Sequence, residues 1–218
     1  MIDEHQLWAK ADPNNPGSYH PLSFHLIDTA VVAMEMWDRC LSKPTRSLIG
    51  KYLNLPEQDA RAWTAFIAGC HDIGKATPAF QKKNELKRRE LASQGLYFFN
   101  GSRHHGILSE KILLNYLSNK LGPDQIAMVS SAIGAHHGNY QPKGDLLYVD
   151  YNDLGDQPWD DLRLKILDGL SRLLSMEGRE GPSDNDQTSA EAFLFLITGL
   201  ISIADWIASA VEFFPYTP

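Results

Sequence analysis

Cysteine is scarce in this chain. Cys40 and Cys70 are the only two among 218 residues, and both lie in apolar stretches with helical spacing. Two thiols make no disulfide framework, and a reducing cytoplasm fits such a composition. An excess of positive charge is also missing: 20 Lys and Arg stand against 27 Asp and Glu, a formal net charge of -7. A surface that grips nucleic acid by broad basic attraction is therefore disfavoured, although a local site made positive by bound metal is not. The opening Met1-Ile2-Asp3-Glu4-His5 lacks a basic-then-apolar leader pattern. No internal repeat or low-complexity tract occurs, and no Gly-x-Ser-x-Gly nucleophile elbow. Gly69 to Lys75 has the spacing of a phosphate-binding P-loop, but Ala76 stands where the magnesium-binding hydroxyl belongs, and the preceding residues read as helix.

A hydrophobic fraction of 43% is ordinary for a globular chain, and the length suits one substantial domain over residues 1–218. Convincing strand alternation is scarce, and apolar residues recur mostly at helical spacing. The spacing predicts an all-α fold with helices over residues 22–41, 57–70, a short one near 77, and 107–120. Further helices are predicted over 123–138, stopped by Gly138, and over 162–176 and 190–211. Loops are predicted over 12–19, 139–158 and the acidic stretch 177–186. The basic residues Lys82, Lys83, Lys87, Arg88 and Arg89 read as a solvated helix face in preference to a phosphate contact. The run 192–211 holds a single charge, Asp205. It is apolar enough to suggest a membrane span, but Asp205, Thr198, Ser202 and Ser209 and the lack of flanking basic residues favour a central helix surrounded by other helices, with no membrane. A buried carboxylate there needs a metal or a cationic partner. Trp206, on the same helix, is expected in the core in preference to a base-stacking surface.

Histidine is what the chain has in a pattern. Six of its eight, His25, His71, His104, His105, His136 and His137, fall where one helical core could gather them, and His71 is followed by Asp72. Imidazole and carboxylate are the ligand set of transition metals in hydrolytic sites. His25 lies on the inward face of its helix. Neighbours on a regular helix point about 100° apart, so His71 and Asp72 reach one cluster only at a helix end or irregularity, which Gly74 permits. Asp72 offers two oxygens and could bridge two ions. His136 and His137 follow the stripe Ile126, Val129, Ile133 and can both lean inward. Ser109, four residues after His105, favours His105 as a ligand and leaves His104 as its neighbour. His5 and His20 read as structural. Each histidine alone reads more simply as a hydrogen-bonded core or surface residue; jointly they carry weight because the apolar helices bearing them must pack together. His25, His71, Asp72, His105, His136, His137 and Asp205 exceed the three or four ligands of one ion. That surplus favours two ions about 3.5–4 Å apart, as in phosphoester hydrolysis. Histidine-rich ligation points to manganese, iron, cobalt, nickel or zinc rather than magnesium.

His71-Asp72, the flanking histidines and the late Asp205 resemble the all-helical HD phosphohydrolase superfamily. More specifically, His71-Asp72-Ile73-Gly74-Lys75-Ala76-Thr77-Pro78-Ala79-Phe80-Gln81 resembles the HD nuclease domain of the CRISPR-associated nuclease-helicase of type I systems. So do Ala135-His136-His137-Gly138, the segment Ser202 to Ser209, and the opening Leu7-Trp8-Ala9-Lys10 with His20-Pro21-Leu22 and His25. The resemblance implies an HD-domain helical bundle with a central buried metal site that cuts single-stranded DNA in antiviral defence, using one or two transition-metal ions. It implies that His25, His71, Asp72 and Asp205 hold one ion and that Asp72, His105, His136 and His137 hold the second. Asp72 and Lys75 become the catalytic pair, with Lys75 and His104 beside the substrate. Arg103 before His104 fits the family pattern in the other register, so His104 and His105 both stay open as the ligand. The implied partners are single-stranded DNA, a helicase domain or subunit, and the RNA-guided surveillance complex. No helicase motif is present, so an excised domain and a stand-alone subunit are both expected possibilities. Two other readings share the ligands: an HD phosphohydrolase of small or cyclic nucleotides, and a non-catalytic module that metal merely stabilises.

Overall fold

The computed structural model describes residues 3–118, 120–140, 142, 144–179, 181 and 190–216. Two short strands, β1 (Trp8–Asp12) and β2 (Asn15–Pro21), pair antiparallel. Among the described residues the α-helices are α1 (Leu22–Arg39), α2 (Lys43–Leu53), α3 (Glu57–Gly69), α4 (Pro78–Gln81), α5 (Glu85–Ser93), α6 (His105–Leu117), α7 (Pro123–Gly134), α8 (Tyr151–Leu154), α9 (Gln157–Leu173) and α10 (Ala190–Ala208). A 3-10 turn at Ile73–Lys75 joins α3 to α4.

α1 lies at the centre, packed on α3 and α10, while α10 also meets α7, and α6 meets α7 and the 73–75 turn. The reason is legible in spacing. Leu22, Leu26, Ala30, Ala33 and Trp37 recur every three or four residues along α1, and all are buried. They share one core cluster with the buried Ile67, Phe193, Ile197 and Ile201 of α3 and α10. Each large apolar side chain taken from water stabilises the fold by about 1.5–3 kcal/mol. Gly74 allows the tightest approach: a Cβ there would stand 2.1 Å from the His105 carbonyl oxygen and 2.6 Å from the Ser109 nitrogen. Only a residue without a Cβ fits, and Ser109 Oγ accepts a 2.8 Å hydrogen bond from the Gly74 N–H.

The helical bundle stands as the sequence predicts, with the following departures. The hairpin replaces part of the expected 12–19 loop; its strands are short and its register shifts between Trp8 and Lys10 and between Ala11 and Asp12, which erases any alternation. α2 was not anticipated, because it is polar; α5 carries Lys87, Arg88 and Arg89 of the expected solvated helix face, whereas α8 and the start of α9 at Gln157 fall inside the expected 139–158 loop. α2 is set by local chemistry instead: Ser42 Oγ accepts from Thr45 N, Pro44 sits in the first turn, and Asn54 closes it at φ 53°. α7 ends at Gly134, four residues before Gly138. α10 is not surrounded by helices: Phe193, Ile197, Leu200, Ile201, Ala204 and Ala208 are buried, whereas Phe195 and Trp206 are 66% and 69% exposed. Trp206 is therefore on the outer face, not in the core. Length and composition would let α10 cross a membrane, but its inner face is part of the core. Residues 180 and 182–186 of the expected acidic loop lie outside the described residues.

Candidate metal centre

Five segments bring candidate metal donors to the middle of the bundle. His25 projects from the first turns of α1. His71 and Asp72 follow the end of α3, where the chain tightens into the 3-10 turn. His105 opens α6. His136 and His137 lie in the turn beyond α7, held by a His136 N–H to Ile133 carbonyl bond of 3.3 Å and a Gly138 N–H to Ala135 carbonyl bond of 2.7 Å. Asp205 comes from α10. Leaving the helix is what lets adjacent residues converge: the rings of His136 and His137 are 4.0 Å apart, which a regular helix would splay.

Two overlapping groups result, each offering ligand atoms within 4.8 Å of one another: His25, His71, Asp72 and Asp205, and Asp72, His105, His136 and His137. Asp72 belongs to both. Its Oδ2 faces His25 Nε2 at 3.3 Å and His71 Nε2 at 3.2 Å. Its Oδ1 faces His105 Nε2 at 3.2 Å and His136 Nε2 at 3.5 Å. Asp205 Oδ1 faces His25 Nε2 at 3.2 Å and His71 Nε2 at 3.4 Å, and accepts from Ser209 Oγ at 2.9 Å. In the second group His105 Nε2 and His137 Nε2 are 2.9 Å apart. His104 is outside both groups; its Nδ1 accepts from Gly106 N–H and caps α6. Its ring lies 4.1 Å from that of His105. His5 and His20 have partners of their own, Ser23 Oγ and Asp28 Oδ2.

The donor set fits divalent cations. His25 Nε2, His71 Nε2, His136 Nε2 and Asp72 Oδ1 are buried and make no hydrogen bond of proper geometry, and buried polar groups without partners are rare. Two donors each about 2.1 Å from one ion, at angles between square and tetrahedral, sit about 3.0–3.4 Å apart, close to the spacings here. The outer nitrogens are already committed. His71 Nδ1–H donates to the Ala68 carbonyl at 2.9 Å and His136 Nδ1–H to the Ile133 carbonyl at 2.6 Å. Carbonyls only accept, so in the neutral ring that binds a metal the proton sits on Nδ1 and the Nε2 lone pair faces the centre.

Charge follows the same division. Burial disfavours the Asp72 carboxylate, yet Lys75 and His71 hold its pKa well below the ordinary range. Lys75 Nζ lies 2.6 Å from Asp72 Oδ2. Asp205 is likewise held low, against burial, by His25 and His71. Burial opposes charge on His71, but Asp72 and Asp205 lift it to about 9, while burial keeps His25 low. Burial pushes His105 down to about 4, and burial with the neighbouring His136 takes His137 to about 4.

Sequence reasoning passed over three residues around this centre. Lys10 Nζ lies 3.4 Å from Asp205 Oδ1. Gln81, fully buried, clamps β1 to the 73–81 segment: it accepts from Trp8 N–H at 3.2 Å and donates to the carbonyls of Trp8 and Lys75 at 2.8 and 2.9 Å. Phe80 backs the site, its ring 5.6 Å from that of His105 and 5.3 Å from Lys75 Nζ. The only signal was their place inside the segments 7–10 and 71–81 that carry the family resemblance.

Residues 8–214 match the family described as "Cas3, HD domain". The chain is 34% identical over 216 residues to the CRISPR-associated endonuclease/helicase Cas3 of Thermus thermophilus, covering 96% of this chain and 22% of that protein. A Thermus thermophilus cas3 HD domain solved in the presence of Ni2+ is 32% identical with a TM-score of 0.70, over 97% of this chain and 79% of that one. A chain of a CRISPR RNA-guided surveillance complex in a pre-nicking state is 27% identical with a TM-score of 0.77, over 97% of this chain and 25% of that one. The chain spans about a quarter of the length of the curated relatives it matches.

Proposed function

This chain belongs to the Cas3 HD-domain family, and on that basis we propose that it is a metal-dependent endonuclease of single-stranded DNA acting in CRISPR interference. The observation that carries the reading is Asp72 set between two groups of donors, one oxygen toward each. His25, His71, Asp72 and Asp205 would hold one divalent transition-metal ion, and Asp72, His105, His136 and His137 a second. The related HD domain solved in the presence of Ni2+ supports a transition metal; manganese, iron, cobalt and zinc suit the same donors. Bound there, such ions supply the Lewis acidity and charge neutralisation that hydrolysis of a phosphodiester requires.

The chain's own residues do the rest. Lys75, buried and 2.6 Å from Asp72, places a positive charge where negative charge develops on the phosphate. His104, exposed at the start of α6, stands beside the open group and lines the approach of the strand. Contacts of this kind go to the backbone and carry no base information, so cleavage without sequence preference is expected. The endonuclease/helicase relative and the surveillance-complex relative support a helicase domain or subunit and that complex as partners, in the cytoplasm.

The test is cleavage of circular single-stranded DNA by the purified chain with Mn2+ or Ni2+, beside a panel of free and cyclic nucleotides. Linearisation that stops on chelation supports the reading; turnover of the nucleotides alone selects the small-phosphoester alternative. Helical content lost on chelation, with no turnover of either substrate, selects a purely structural metal.

A further inference from the structure

We propose that Lys10 is a phosphate-positioning residue of this centre, holding the DNA strand beside Asp205. The inference rests on the endonuclease reading above and assigns it a contact from the hairpin. Lys10 Nζ faces the same Asp205 oxygen that faces His25 and His71. Its side chain is 27% exposed, against 8% for Asp205, so the ammonium stands at the boundary between the buried donors and solvent.

The position is built by contacts on both sides. The register shift between Trp8 and Lys10 is the kind of irregularity that re-aims a strand side chain. Gln81 then ties the backbone of Trp8 to that of Lys75, and Trp8 Nε1–H donates to the Gln81 carbonyl at 3.2 Å. Two ammonium groups, Lys75 at Asp72 and Lys10 at Asp205, are thus carried on segments locked to each other by one amide. Of the basic residues in 82–89, Lys83 stands 4.9 Å over the Phe80 ring at the edge of the site, and the other four are engaged elsewhere. Lys82 donates to the Phe99 and Gly101 carbonyls, Lys87 to Glu90, and Arg88 and Arg89 to Glu85.

A divalent ion held by Asp205 would repel the Lys10 ammonium and favour its turning toward solvent, where a phosphate oxygen would arrive. A mobile point charge on a flexible stem suits that task. In a chain of net charge -7, one placed cation also counts for more than it would on a basic surface.

The test compares wild type, Lys10→Gln and Lys10→Arg, each saturated with Mn2+. Binding of labelled oligothymidylate is followed across a salt series, Mn2+ affinity is followed by calorimetry, and cleavage of circular single-stranded DNA is followed in parallel. One lost phosphate contact lowers the slope of log affinity against log salt by about 0.7 for a single strand. Lys10→Gln is expected to show that drop with weaker DNA binding, and to bind Mn2+ as tightly as wild type or several-fold tighter because a repelling charge is gone. Lys10→Arg should keep the wild-type slope. An unchanged slope in Lys10→Gln beside a wild type that cuts DNA overturns this inference alone. Weaker Mn2+ binding with a lowered melting temperature in Lys10→Gln also overturns it, in favour of a structural ion pair. A wild type that neither binds nor cuts DNA overturns the inference together with the endonuclease reading.

Discussion

The two donor groups share Asp72 and differ in almost everything else. The group of His25, His71, Asp72 and Asp205 is buried throughout, whereas the group of Asp72, His105, His136 and His137 reaches the surface at His137. The first sets two carboxylates against two imidazoles and draws positive charge inward, lifting His71 to about 9. The second sets one carboxylate against three imidazoles, and burial keeps His105 and His137 near 4, so their rings are neutral donors at neutral pH. One aspartate therefore serves a sealed, carboxylate-rich seat and an open, imidazole-rich one. On the proposed reading the sealed seat holds its ion deeper in the fold, with Lys10 at its rim, and the open seat meets solvent at His137.

The largest effect is expected where the two groups meet. Asp72→Asn removes the negative charge that both groups share and one of its two donor oxygens, so metal content by mass spectrometry should fall toward zero. Cleavage should drop by about a thousandfold, the upper scale for removing a principal electrostatic stabiliser, with helical circular dichroism retained. Full activity in that variant contradicts the shared-ligand geometry. The next contrast separates the groups. Asp205→Asn should cost one ion and lower the melting temperature, because a buried ligand set loses its charge balance. His137→Ala should cost the other ion and most cleavage while leaving the melting temperature nearly unchanged. Equal thermal effects from the two would erase the distinction between sealed and open.

A smaller effect is expected at the seam. Gly74→Ala forces a methyl group against the His105 carbonyl and Ser109, so overpacking of about 1–3 kcal/mol is expected in denaturant unfolding. Asp72 should then be pushed from His105, weakening metal binding at the open group first. No effect is expected from replacing Arg88 and Arg89 by alanine, since both charges are spent on Glu85 at the surface. A loss of DNA cleavage there would move the substrate path to α5.

The bundle was legible because α1, α3, α6 and α7 repeat apolar residues at helical spacing. All seven donors were legible as residue types, and Ser109 after His105 pointed to the histidine that joins the cluster. Where the donors sit was less legible. His136 and His137 read as helix because Ile126, Val129 and Ile133 keep their period up to the turn, and nothing local marks the stop at Gly134. The hairpin was hidden by its register shifts, and with it Lys10. α10 read as enclosed because it is apolar all round, yet only one face meets α1, α3 and α7, which leaves Trp206 outside. Burial depends on what packs against a helix, and composition alone does not carry that.

The proposed two-seat centre is tested most directly by a crystal structure of the Mn2+-loaded chain with anomalous scattering collected at the metal edge. Two anomalous peaks about 3.5–4 Å apart, one on each side of Asp72, are expected. A single peak away from Asp72, or none within reach of its two oxygens, would contradict the account.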